Sequence, residues 1–245
     1  MELALGTAQI GIAYGVNNAV GCPSDSGAAA VLAAAADSGF TMVDTSREYG
    51  LAISRIGQFL ENRPGAFKVM VRHRAGSVSV YTAKEAEAVP DGVDVIQFPA
   101  NLLDGRMDGE MSRQQQHGRT VIVRSLLLQG LIMADPEAGP VGHHRSPELT
   151  VMARPYLRGI RGIATAYGVG VLEMAVRWVW YLMPDIMVVG AETPEQVREI
   201  ARAWKQGPLP DEIIYAILEL RENIPELVIS PRMWDQQYHF TGQKQ

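Results

Sequence analysis

Five short apolar runs, each followed by a stretch with helical spacing, constrain this chain more than any other feature. Residues 40–43, 67–71, 93–98, 120–123 and 186–189 are dominated by apolar side chains without a clean alternation. Such runs are buried on both faces, the pattern of a parallel sheet covered by helices. Residues 3–10 add an apolar segment with Gly6 inside it, read as a strand that runs into a turn. Helix signals lie between the runs. Ser24-Asp25 caps an Ala-rich helix over 28–36 that Gly39 stops. Ile53, Ile56 and Leu60 recur at helical spacing up to Pro64-Gly65. Thr82 and Glu85 form a capping box for a short helix that ends at Pro90. Residues 106–117 are polar and read as helix; 155–167 and 172–182 are helical stretches parted by Gly168-Val169-Gly170. Thr193 caps a helix with Pro194 at its first position, and residues 211–221 add one more. Strands and helices in alternation specify α/β architecture. No GxGxxG follows a strand, so a (β/α) barrel is preferred to a Rossmann domain. The 245 residues suit one such barrel, a single domain over 1–245 with 208–245 as a C-terminal helix and tail.

Charge narrows the partners. Lys and Arg number 22 against 27 Asp and Glu, for a formal net charge of −5 and no basic block. Nucleic acid demands clustered positive charge, so no such partner is expected. The longest apolar stretch, 174–189, is interrupted by Arg177, Pro184 and Asp185, so no membrane span is expected. Cys22 is the only cysteine, and the N-terminus carries no secretory signal; a reducing, cytoplasmic location is expected. His143-His144 have no Asp, Glu or Cys companions nearby, so no metal site is expected. Trp178, Trp180 and Tyr181 read as helix packing, and Trp234, Tyr238 and His239 as a tail covering the barrel mouth.

Leu5-Gly6-Thr7-Ala8-Gln9, Tyr14-Gly15, Asp44-Thr45-Ser46, Tyr49-Gly50 and Gly57 resemble the first third of an aldo/keto reductase. Ser79-Val80-Tyr81 resembles that family's fifth strand, and Asp94-Val95-Ile96-Gln97 with Asn101 and Asp104 its sixth. Arg124-Ser125 with Leu128-Gln129-Gly130-Leu131 resembles the seventh, and Val189-Gly190-Ala191 with Thr193-Pro194-Glu195-Gln196 the eighth. The resemblance implies a TIM barrel with NADPH extended across the C-terminal strand ends and hydride transfer to a carbonyl. It further implies a tyrosine as general acid, a lysine–aspartate pair that lowers its pKa, and a histidine that orients the substrate oxygen. A phenol with a pKa of about 10 is a poor donor at neutral pH, and a nearby cation brings it down. On this reading Tyr49 is the acid and Asp44 its aspartate. Ser79, Gln97, Arg124, Ser125, Gln129, Gly190, Thr193 and Gln196 are the cofactor-binding residues, and Asn101 meets the substrate.

The sequence departs from the family's pattern in four places. Arg72 ends the third strand where the family has lysine, and a guanidinium holds its proton too tightly to join a relay. The fourth strand is missing, and with it the histidine that ends it. Ile200 stands where the family has an adenine-contacting asparagine. His73, next to Arg72, is the alternative for the lost histidine; on a strand only one of the two points inward. About four linking residues span at most ~14 Å, whereas a parallel crossover needs about a dozen. Either residues 77–80 form no regular barrel strand or the barrel is open there. An open edge must be covered, so a homodimer across the gap is expected. Two activities follow. One is NADPH-dependent reduction of a carbonyl on a polar small metabolite, sugar-like or from specialised metabolism, with Tyr49 as acid and Arg72 in place of lysine. The other is a non-redox lyase, dehydratase or isomerase using Tyr49, Asp44 and Arg72 or His73 for acid–base chemistry.

Overall fold

Strands β1 (Glu2–Gly6), β2 (Met42–Thr45), β3 (Lys68–Val71), β4 (Ser77–Ser79), β5 (Val95–Pro99), β6 (Thr120–Arg124) and β7 (Ile186–Gly190) form one parallel sheet. This is the arrangement in the computed structural model, which describes residues 1–18, 21–72, 76–138 and 147–234. The strand order is β3-β2-β1-β7-β6-β5-β4. The first strand therefore lies inside the sheet, paired with β2 on one side and β7 on the other. The two edges, β3 and β4, are consecutive in sequence. Among the described residues no ladder joins them. The sheet is thus a barrel with a slot between β3 and β4.

That slot decides between the two alternatives left by the sequence. Residues 77–79 do form a regular strand, with Ser77, Val78 and Ser79 in parallel register with Val95, Ile96 and Gln97. The strand is held by β5 alone, and the barrel is open beside it. Its counterpart β3 hydrogen-bonds β2 from Met42↔Lys68 to Thr45↔Val71.

Side chains alternate between the two faces of the sheet, as strand geometry requires. Leu3 and Leu5 pack outward with Val31, Leu32 and Val197 of α1 (Asp25–Ser38) and α7 (Pro194–Lys205). Ala4 packs inward with Met42, Ile122, Ile186 and Val188, which fill the barrel interior. A third cluster joins α5 (Pro147–Tyr167), α6 (Val171–Leu182) and α8 (Asp211–Leu220) around fully buried Trp178. Trp178 stacks with Tyr181, and Trp180 with Trp204. The cap signals hold: Ser24, Thr82 and Thr193 each accept a backbone N–H at the start of α1, α3 (Ala83–Glu87) and α7; α2 (Ala52–Asn62) and α4 (Asp108–Gln116) lie between them in sequence. The helix expected over 155–167 begins earlier, at Pro147, and carries Pro155 inside it. Among the described residues no helix is long and apolar enough to cross a membrane.

Candidate functional site

The C-terminal ends of the strands surround a cavity of about 690 Å³, within the range of small-molecule sites. Asp44, in β2, is completely buried. Its Oδ2 accepts from Arg72 Nε at 3.0 Å and pairs with Nη2 at 2.9 Å. Its Oδ1 accepts from Gln97 Nε2 at 3.1 Å, and Gln97 Oε1 accepts from the Ser79 hydroxyl at 3.2 Å. One chain of polar groups therefore runs across four strand ends and bridges the slot between β3 and β4.

Tyr49 follows β2 in a tight turn, its backbone N–H donating to Ser46 O. The turn rests directly on Gly11, where a Cβ would collide with the Tyr49 carbonyl. Gly11 O also accepts from the Leu51 N–H. The Arg72 guanidinium lies 5.4 Å from the centre of the Tyr49 ring. Burial raises the Tyr49 pKa well above its ordinary value; Arg72 pulls it down, and Asp44 and Tyr14 push it up. The cation thus acts as the family pattern implies, but burial outweighs it. Arg72 is itself held protonated: burial opposes its charge, and Asp44 together with Tyr49 and Tyr14 more than restores it.

Arg124, at the end of β6, turns toward β4 and away from β7. Its Nη2 donates to Val80 O at 3.3 Å, its Nη1 to the Ser125 hydroxyl at 3.1 Å, and its guanidinium lies 4.2 Å from the Tyr81 ring centre. Only 4% of the residue is exposed. On the opposite side of the cavity, Gly6 and Gly190 stand in register at the ends of β1 and β7. A Cβ on Gly190 would enter the Gln9 carboxamide. The Gln9 side chain thus packs directly on the Gly190 backbone, and polar groups of Ser79, Ser125, Gln129 and Gln196 also line the cavity.

The expected site residues divide accordingly. Asp44, Tyr49, Arg72, Ser79, Arg124, Ser125, Gln129, Gly190 and Gln196 border the cavity. Three others do not. Gln97 is buried behind Asp44. Asn101, also fully buried, uses its carboxamide oxygen to hold the Leu103 and Asp104 N–H groups of a turn. Thr193 uses its hydroxyl to cap α7 through the Gln196 N–H. Ile200 and Trp234 line the cavity. His73, His143-His144, Tyr238 and His239 lie outside the described residues.

Three further cavity residues stand outside the expected site. Tyr14 meets the Gln129 side chain, and burial raises its pKa. Tyr81 carries the Arg232 guanidinium 3.4 Å from its ring centre, in addition to that of Arg124. Glu192, beside Gly190, has its carboxyl pushed up by burial.

The aldo/keto reductase family model matches residues 72–222. The chain belongs to the aldo/keto reductase family. Solved structures agree on the fold. The glycerol dehydrogenase of Gluconobacter oxydans is 18% identical with a TM-score of 0.65, the match covering 96% of this chain and 94% of that one. An aldo-keto reductase from Bacillus halodurans, solved as a holo form, is 15% identical over 89% of this chain and 91% of that one, TM-score 0.63. One from Klebsiella pneumoniae, solved in complex with NADPH, is 16% identical over 89% of this chain and 90% of that one, TM-score 0.61. No curated protein sequence matches the chain significantly. The shortened aldo/keto reductase barrel is therefore its fold.

Proposed function

We propose that this aldo/keto reductase is an NADPH-dependent carbonyl reductase in which Tyr49 protonates the carbonyl oxygen. The observation that carries the reading is the placement of Tyr49. The Arg72 guanidinium lies over its ring, its hydroxyl has no hydrogen-bond partner among the described residues, and it lines the cavity at the strand ends. NADPH supplies the hydride when bound. Ser79, Ser125, Gln129, Gly190 and Gln196 would hold it, and the Klebsiella pneumoniae relative solved with NADPH supports that assignment.

The chain's own residues supply the proton and its control. With hydride delivered to the carbonyl carbon, Tyr49 would give its proton to the carbonyl oxygen, leaving an alcohol and a phenolate. Arg72 stabilises that phenolate as a fixed cation, and Asp44, Gln97 and Ser79 hold Arg72 in place. Arginine does this without donating a proton, so the phenolate regains its proton from solvent. The substrate is a polar small metabolite. The lyase, dehydratase and isomerase readings find no support among the relatives. A second copy of the chain covers the slot between β3 and β4.

Steady-state NADPH oxidation with a panel of polar aldehydes and ketones tests the reading. Tyr49→Phe should lower kcat at least ~100-fold with the fold intact. Undiminished turnover in that variant would remove Tyr49 from the proton transfer.

A further inference from the structure

The cavity contains one buried cation that the reaction so far does not use. Arg72 is paired with Asp44, and Arg232 with Glu85 at 3.0 Å. Arg124 has no carboxylate partner among the described residues. Its contacts among the described residues are the Ser125 hydroxyl, the Val80 carbonyl and the Tyr81 ring, and its Nε–H has no hydrogen-bond partner among them. A buried guanidinium stays charged, and a buried charge is normally paired.

Position separates Arg124 from the strand ends at Gly6 and Gly190. Arg124 reaches from β6 over the end of β5 to β4, the side of the barrel that faces Arg72 across the slot. Arg124 lines the same cavity as Tyr49, Tyr14 and Arg72. An anion seated on it therefore shares the cavity with the phenol.

We propose that Arg124 seats an anionic group of the substrate, so that the enzyme reduces carbonyl compounds carrying a carboxylate or a phosphate. The proposal rests on the reductase reading for its chemistry and on the unpaired guanidinium for its substrate class. Arg124 binds the substrate's charge through its guanidinium donors.

The test uses the full chain, with calorimetric titrations in matched pairs. Pyruvate against methyl pyruvate isolates a carboxylate; glyceraldehyde 3-phosphate against glyceraldehyde isolates a phosphate. In the wild type the charged member of at least one pair should bind about tenfold or more tightly than its neutral counterpart, and R124Q should erase that preference. R124K should keep part of it, which guards against misfolding of R124Q. Equal binding of charged and neutral members in the wild type overturns the proposal. So does a charge preference that survives in R124Q. Parallel NADPH titrations keep the two readings apart: a charge preference without NADPH binding supports the anion seat and defeats the reductase reading. A tenfold loss of NADPH affinity in R124Q, with the substrate preference unchanged, assigns the guanidinium to the cofactor and overturns the proposal.

Discussion

Arg72 and burial pull the Tyr49 phenol in opposite directions, and burial wins. The sign of the consequence is fixed by linkage. A folded pKa above the unfolded value of about 10 means that the unfolded chain ionises first as pH rises. Tyr49 therefore adds nothing to the pH dependence of stability below about pH 10, and it lowers stability progressively above that. Urea unfolding of wild type and Tyr49→Phe should show parallel stabilities up to that point. Above it the wild type should lose stability faster, and a difference that opens at neutral pH would contradict the environment described for this phenol. Asp44, Tyr49 and Arg72 were legible in the sequence because each lies in or beside a short motif at a strand end. The pairing of Tyr81 with Arg232 was not. The ion pair that anchors Arg232 joins it to Glu85, 147 residues away, and no local pattern carries that distance.

Caps and turns set the position of the site at the next scale. Thr193 was read both as a helix cap and as a cofactor ligand, and its hydroxyl is engaged by the Gln196 N–H at 3.2 Å. Thr193→Ala should cost about 1 kcal/mol of stability, the ordinary value of such a cap, read by urea unfolding. A variant as stable as the wild type would show that the hydroxyl does something else. The loop after β6 is under more tension. Ser125, Leu128 and Gln129 have φ of 63°, 49° and 53°, the left-handed region that non-glycine residues rarely occupy. The loop is fastened to the segment before α1: Gln129 O accepts from Val16 N at 2.8 Å, and Asn17 Nδ2 donates to Gly130 O at 2.6 Å. Strand runs and caps were readable because each depends on near neighbours in sequence. The true start of α5 was not, since Pro155 mimics a first-turn proline and concealed the helical residues before it. Gly11 left no signal either. Its need to be glycine arises from the Tyr49 carbonyl, which the fold brings against it.

At the scale of the molecule the missing strand was legible from arithmetic alone, because the few residues after Arg72 cannot build a crossover. Which elements border the resulting slot required the sheet order. Its edges are β3, where Lys68 and Val69 are exposed, and the three-residue β4. Unpaired strand edges invite coverage, and the expected outcome of sedimentation at micromolar concentration is a dimer; a monomer would remove the second copy from the account. The activity does not depend on that outcome. It depends on whether the cavity takes a nicotinamide dinucleotide. Trp234 lines that cavity and serves as the reporter. Titration of the protein with NADPH, followed by quenching of tryptophan emission, should give a saturable curve in the micromolar range, and an unchanged emission across that range would contradict the reductase outright.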